Sequence, residues 1–138
     1  MLRQSFEREI NRLGLKDRFI LTGLVSPDLI PQLCAAMDIL VHPSRREGLA
    51  RALPQAALAG KPVITYDIDG NREGLIEGQT GYAIEPFDRD KLTTALGRLL
   101  EDESLRTEMG KRGREFAFSR FDVKVMIDGL ERVYQHRT

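Results

Sequence analysis

The chain has 138 residues, of which 41% are hydrophobic and 30% are charged, and its 21 basic residues balance 21 acidic ones. This composition predicts one globular domain, 1–138, with a sizeable core, and excludes a disordered chain. The neutral balance argues against nucleic acid as a partner, and the sequence shows neither a bilayer-spanning apolar run nor a signal peptide.

The first third of the chain alternates between helical and strand patterns. Apolar residues at helical spacing predict a first helix that stops at Gly14. A short apolar run predicts a buried strand at 18–22, and a Ser-Pro-Asp signal at 26–28 starts a second helix. Cys34 lies on the apolar face of that helix and is expected in the core. The run 39–41 predicts the next strand.

The same alternation continues to the end of the chain. A small-residue helix at 50–59 ends at Gly60, and a strand at 62–66 leads into a turn-rich loop at 67–71. The remaining elements are a short helix, a strand and three helices, expected at 72–77, at 80–85, from Asp88, from about Ser104 and from Asp122. The Leu and Val stripes of these last helices are expected to face the core.

Short strands that alternate with helices predict an α/β fold. Right-handed βαβ units build a parallel sheet with helices on both faces, here with about four strands. Sheets of this kind bind ligands beyond the carboxyl ends of their strands. That rule selects the loops 42–49 and 67–71, which are expected to form one crevice.

The loop before the helix at 50–59 has the composition of an anion site. The free N–H groups and the dipole at a helix start attract negative charge, and Gly48 allows a ligand to approach the backbone. Three nearby guanidinium groups are available to pair with phosphate: Arg45, Arg46 and Arg51. The plainer interpretation is that these arginines are surface charges.

Two further polar residues extend the predicted ligand beyond a phosphate. Because like charges repel, Glu47 is expected to accept hydrogen bonds from hydroxyl groups rather than to meet phosphate. Gln55 lies eight residues on, roughly 12 Å along a helix. A ligand that reached both would carry hydroxyls at each end and charge between them, as a nucleotide-sugar does. Taken alone, Glu47 would be an ordinary helix-start acid and Gln55 a solvent-facing residue, and His42 would simply end a strand.

Two stretches together resemble a known family. They are DILVHPSRREGLARALPQAALAGKPVI and DGNREGLIEGQTGYAI. Their order and spacing are similar to the C-terminal donor-binding domain of retaining, nucleotide-sugar-dependent glycosyltransferases, the group 1 family of the GT-B fold. The matching positions are Pro43-Ser44, Glu47, Gly60-Lys61-Pro62-Val63, Gly70-Asn71-Arg72-Glu73 and Thr80-Gly81. The resemblance covers nearly the whole chain and implies a Rossmann-like sheet.

The resemblance also implies a role for each matching residue. Glu47 would be catalytic and would contact the hydroxyls of the transferred sugar. The positions that would bind the donor are Ser44, Gly48, Leu49, Ala50, Arg51, Gln55, Gly70 and Asn71. Transfer would need no metal and no cofactor beyond the nucleoside diphosphate-sugar, because the helix dipole and basic side chains would stabilise the leaving diphosphate. Position 55 is Gln where the family has a second Glu, so weaker or altered ribose binding is expected.

The family's enzymes have two Rossmann-like domains, and this chain resembles the second one without its first strands and phosphate loop. It is therefore expected to be inactive alone. In the strand order 3-2-1-4-5-6, the segment 18–22 would lose its neighbours and 39–41 would become an open edge. We expect either that 18–22 moves beside 39–41, which gives a four-stranded sheet, or that chains pair through the edge. A detached strand 18–22 in a monomer would count against both.

Two other classes of function remain open from the sequence. One is a non-catalytic nucleotide or sugar-phosphate-binding module, which Gln55 favours, and the other is half of a nucleotide-sugar epimerase. The partners that the resemblance implies are the nucleotide-sugar donor and the missing N-terminal domain. It places the parent enzyme in polysaccharide biosynthesis in the cytoplasm, and leaves its peripheral association with a membrane open. The single cysteine fits this compartment, and it offers no zinc spacing with the two histidines.

Overall fold

The computed structural model describes residues 2–135. Its helices are α1 (Leu2–Arg12), α2 (Ile30–Ala36), α3 (Ala52–Leu58), α4 (Arg89–Glu101), α5 (Glu103–Phe121) and α6 (Val123–Gln135). The strands are β1 (Leu40–His42), β2 (Val63–Tyr66) and β3 (Gly81–Ile84), and three short 3-10 helices cover Lys16–Arg18, Pro27–Leu29 and Asp69–Gly74. The chain divides into two compact units, one up to Ile30 and one from Pro31 onward.

The first unit is built on α1. This helix stops at Gly14, whose φ of +67° lies in the left-handed region that glycine adopts without strain. Ile10 is buried in this unit, and the rings of Phe6 and Phe19 pack edge to face with their centroids 5.9 Å apart. The predicted first helix and its stop at Gly14 are confirmed.

The strand predicted at 18–22 is not present. A 3-10 helix ends at Arg18, and the residues that follow belong to no strand. Ile20 is 91% exposed, so the apolar run that suggested a buried strand is not buried. A strand is stabilised by hydrogen bonds to a neighbouring strand, and this segment has no ladder partner in the described chain. The move of 18–22 beside 39–41 is therefore wrong, and pairing between chains stays a prediction.

The second unit contains a three-stranded parallel sheet in the order β1-β2-β3. The parallel α/β class is confirmed, with three strands in place of about four. Within β2, successive side chains point to opposite faces, so Ile64 and Tyr66 lie on one face and Val63 and Thr65 on the other. All four are buried, as expected of a central parallel strand. β1 is an edge of this sheet, and self-association through it stays a prediction.

Helices cover both faces of the sheet, as predicted. On the face of Ile64 the core is completed by α4 and α5, through Ala95, Leu99 and Met109. On the face of Val63 it is completed by α3 and a residue of the loop before it, through Leu53, Ala56 and Ala50. The carboxyl ends of β1 and β2 are thereby held at one edge of a packed core.

Two elements differ from their predicted bounds. The helix expected at 50–59 covers Ala52–Leu58, and the N–H of Ala50 in front of it donates to Asn71 Oδ1. The helix expected at 72–77 is instead the 3-10 helix Asp69–Gly74. The chain turns soon after it, where the N–H of Ile76 donates to Thr80 Oγ1 at 2.8 Å.

The apolar stripe faces the core in α4 but not in α6. In α4 the stripe faces the core, with Leu99 fully buried. In α6 the prediction of a core-facing stripe is wrong, since Val123 is 65% exposed and Leu130 is 52% exposed. α6 contacts α5, but a helix buries only the face that another element covers.

Candidate functional site

The loops that follow β1 and β2 meet at two glycines. A Cβ atom added to Gly70 would lie 2.7 Å from the carbonyl oxygen of Gly48, closer than real Cβ contacts allow. The backbones of the two loops therefore pack directly on each other, which only glycine permits at position 70. This brings together the two loops that the sheet topology selected.

A chain of buried hydrogen bonds connects these loops to the strands. Asn71 Oδ1 accepts from the Ala50 N–H at 3.2 Å, and Asn71 Nδ2 donates to Thr65 Oγ1 at 3.0 Å. Thr65 Oγ1 in turn donates to the carbonyl oxygen of His42, also at 3.0 Å. We call this set of four residues the strand-end junction. It links the ends of both strands to the loop that precedes α3.

The strand-end junction engages polar groups of two residues that were predicted to bind the donor. Asn71 is completely buried and Ala50 almost so, and each uses a polar group of the other. The Asn71 amide is bonded within the protein at both of its polar atoms, so it holds the loops in place, and its role in donor binding stays a prediction. The role predicted for the backbone of Gly48 and Leu49 is untouched by these bonds.

Three of the predicted site residues outside the junction have side chains at the protein surface. Glu47 is half-buried, and Arg51 and Gln55 are exposed on the loop and on α3. We call these three residues the loop rim. Because α3 has only seven residues and starts two positions later than expected, its dipole is a weaker source of anion attraction than the sequence suggested.

Two other residues of the 43–49 loop have contacts within the protein. The hydroxyl of Ser44 donates to the Arg46 carbonyl at 3.4 Å, which is a long hydrogen bond within an exposed loop. The guanidinium of Arg45 lies over the ring of Phe87, 5.8 Å from its centroid. Such a cation–π contact holds Arg45 at the carboxyl edge of the sheet.

Phe87 was missed by the sequence reasoning. It is 66% exposed, and its φ of +70° lies in the left-handed region, which is rare for an aromatic residue. Its ring also packs against that of Tyr66, with centroids 6.2 Å apart. Nothing in the run Glu85-Pro86-Phe87-Asp88 signals this backbone conformation, so the sequence carried no cue to it.

His42 also has a contact that the sequence did not predict. Its Nε2 atom lies 3.5 Å from Glu47 Oε1, within ion-pair range but without the geometry of a hydrogen bond. Among residues 2–135, this buried nitrogen has no hydrogen-bond partner. The strand end at His42 and the acid at position 47 are therefore neighbours.

Residues 2–135 carry three further features that bear on function. No group of three or more His, Cys, Asp or Glu side chains there is arranged to hold a metal ion. Cys34 is buried in α2 as expected, and burial raises the pKa of its thiol, which disfavours the reactive thiolate. None of the described helices is long and apolar enough to cross a membrane.

Comparison with known proteins identifies the family. Residues 2–116 match the profile of the family described as glycosyl transferases group 1. Alpha-D-kanosaminyltransferase of Streptomyces kanamyceticus is 28% identical over 133 residues, which are 96% of this chain and 34% of that protein. The chain thus spans about a third of the length of this curated relative.

Solved structures show the same fold. Sucrose-phosphate synthase from Thermosynechococcus elongatus superposes with a TM-score of 0.89 at 25% identity, over 97% of this chain and 34% of that one. HepE from Anabaena, solved in complex with UDP, has a TM-score of 0.89 at 28% identity, over 96% of this chain and 36% of that one. HepE has also been solved in complex with UDP-glucose. The α/β sheet and its helices match the Rossmann-like C-terminal domains of GT-B enzymes.

Proposed function

The chain belongs to the group 1 glycosyltransferases, and from that membership we propose that it binds the donor, a nucleoside diphosphate-sugar. The observation that carries this proposal is the match to HepE, whose structures with UDP and with UDP-glucose superpose on nearly the whole of this chain. The parent activity would move the sugar to a hydroxyl acceptor with retention of its anomeric configuration. Family membership favours this transfer over an epimerase reaction.

The proposed donor lies across the loops after β1 and β2. Glu47 accepts hydrogen bonds from hydroxyls of the transferred sugar, near the reacting carbon. The N–H groups of Gly48 and Leu49 and the guanidinium of Arg51 face the diphosphate, with Ser44 beside them. These dipoles and charges stabilise the negative charge that develops as the diphosphate leaves, without a metal ion. Gly70 contributes by keeping the loop of Gly48 in place.

Gln55 would bind the ribose end of the donor. Its side chain is exposed on α3, so it is accessible to a ligand. An amide both donates and accepts hydrogen bonds, but it lacks the stronger charge-assisted bond of a carboxylate. Weaker ribose binding is the expected consequence. This same residue favours the second candidate function, a module that binds nucleotide without catalysing transfer.

Transfer itself would require more protein than this chain. The chain matches about a third of the length of its relatives, and acceptors would be bound by an N-terminal domain that faces this one. We therefore propose that the 138 residues are the C-terminal, donor-binding half, that they work in the cytoplasm, and that they do not turn over alone.

Thermal unfolding of the purified chain with UDP, GDP and ADP tests donor binding. A nucleotide at about 100 times its Kd stabilises the folded state by about 2.7 kcal/mol, which raises Tm by roughly 10 °C in a chain of this size. The absence of a shift with all three nucleotides would contradict the proposal. Transfer of sugar to any acceptor by the isolated chain would contradict its inactivity and exclude the binding-only function.

A further inference from the structure

The most isolated polar atom beside the proposed site is Nε2 of His42. It is buried, has no hydrogen-bond partner among the described residues, and lies 3.5 Å from Glu47 Oε1. A buried ring nitrogen without a partner is unfavourable, so such atoms in native proteins call for an explanation. Here the nearby carboxylate is the residue proposed to meet the sugar.

The backbone that carries His42 is held firmly. His42 is paired with Thr65 in the sheet, and its carbonyl accepts from the Thr65 hydroxyl within the strand-end junction. The next residue is Pro43, whose ring fixes φ. The imidazole therefore stands on a rigid strand end, whereas Glu47 lies in the loop that precedes α3. A small movement of that loop would give the two side chains the geometry of a hydrogen bond.

We propose that His42 positions the carboxylate of Glu47 for the sugar. The neutral imidazole with its hydrogen on Nε2 donates to Glu47 Oε1 once a donor draws the loop inward. That bond leaves Oε2 directed at a sugar hydroxyl and stops the carboxylate from rotating away. Support of this kind, in which a rigid residue orients a ligand-binding side chain, is how functional groups are held in productive geometry. The inference rests on the proposed donor-binding function.

Two variants of His42 separate a donated hydrogen bond from simple packing. His42→Gln keeps an N–H group near the position of Nε2, whereas His42→Met has a similar length and no donor. The chain is first screened against UDP-glucose, GDP-mannose and ADP-glucose. Calorimetry then measures the Kd of the nucleotide-sugar that binds most tightly and the Kd of its free nucleoside diphosphate.

We expect a loss of affinity for the nucleotide-sugar and not for the free nucleoside diphosphate. His42→Met should weaken the nucleotide-sugar about tenfold, as for loss of a charge-assisted bond, and leave the free diphosphate within about twofold, while His42→Gln keeps most of the affinity. In a Glu47→Gln background, His42→Met should cause little further loss, because the two side chains act together. Equal losses for sugar-bearing and free nucleotide, or no loss in His42→Met, would overturn the role of His42.

A spectroscopic measurement covers the case in which His42→Met does not fold. The sequence has only two histidines, so His136→Ala leaves the His42 ring as the single imidazole signal. Nitrogen-15 NMR of this variant with the nucleotide-sugar should show the hydrogen on Nε2, and a hydrogen on Nδ1 would overturn the proposal. If wild type binds none of the three nucleotide-sugars, the proposed function fails as well. If it binds them with an affinity that depends on Glu47 but not on His42, only the present inference fails.

Discussion

Asn71 and Gln55 carry the same amide group, and both were predicted to bind the donor, yet the structure gives them opposite environments. Asn71 is buried in the strand-end junction, where its oxygen and its nitrogen are both bonded within the protein. Gln55 is exposed on α3 in the loop rim. The strand-end junction therefore sets the shape of the site, and the loop rim lies where a ligand can reach it.

The largest expected effect is on stability, from Asn71→Ala. This change leaves the buried N–H of Ala50 without its acceptor and removes the bond to Thr65, at a cost of about 3 kcal/mol. Thermal unfolding should show a fall in Tm of roughly 10 °C. Gln55→Ala is the matched control, since an exposed amide should change stability by no more than about 0.5 kcal/mol. Equal effects of the two substitutions would remove the distinction between junction and rim.

Gly70→Ala should be the next most damaging. Its new Cβ would lie 2.7 Å from the Gly48 carbonyl oxygen, so the two loops must separate, at about 2 kcal/mol. Gly97→Ala is the control, because open space surrounds that position on α4 and alanine there should stabilise the helix by about 1 kcal/mol. Urea unfolding should show a lower free energy of unfolding for Gly70→Ala and a higher one for Gly97→Ala. A Gly70→Ala protein as stable as wild type would show that the loops do not need their close contact.

Glu47→Gln should affect binding rather than stability. Loss of the carboxylate should weaken a nucleotide-sugar about tenfold, or about 1.4 kcal/mol, and leave the free nucleotide unchanged. Its Tm should stay close to that of wild type, because Glu47 is only half-buried. Calorimetry with UDP-glucose and UDP measures the change in binding, and a thermal unfolding curve measures Tm. Weaker binding of UDP itself would place Glu47 at the diphosphate and not at the sugar.

The smallest expected effect comes from Gln55→Glu, which installs the acid that the family resemblance implies for this position. A carboxylate forms stronger bonds to ribose hydroxyls, so nucleotide affinity should rise by about threefold, within the range of a single charge-assisted bond. Stability should not change. Titration of Gln55→Glu and Gln55→Ala with UDP compares the expected gain in affinity of the first variant with the expected loss in the second. If both variants bind UDP as wild type does, the ribose lies away from position 55.

Local patterns in the sequence were enough to predict most of the elements. The periodicity of Ala95 and Leu99 predicted the buried face of α4, and Gly14 and Gly60 mark helix ends with left-handed φ values. The same reasoning failed at 18–22 and at α6. An apolar run shows that a segment would be stabilised by burial, but whether another element covers it depends on the rest of the fold.

For the site, order and spacing along the chain encode the family and the two loops, and from them the sequence predicted which residues meet a nucleotide-sugar. The packing of the elements shows which of those residues face inward. Asn71 bonds Ala50 across 21 positions, and Thr65 bonds His42 across 23. Contacts over such separations form when the sheet and α3 pack together, so no local pattern could assign Asn71 to the interior.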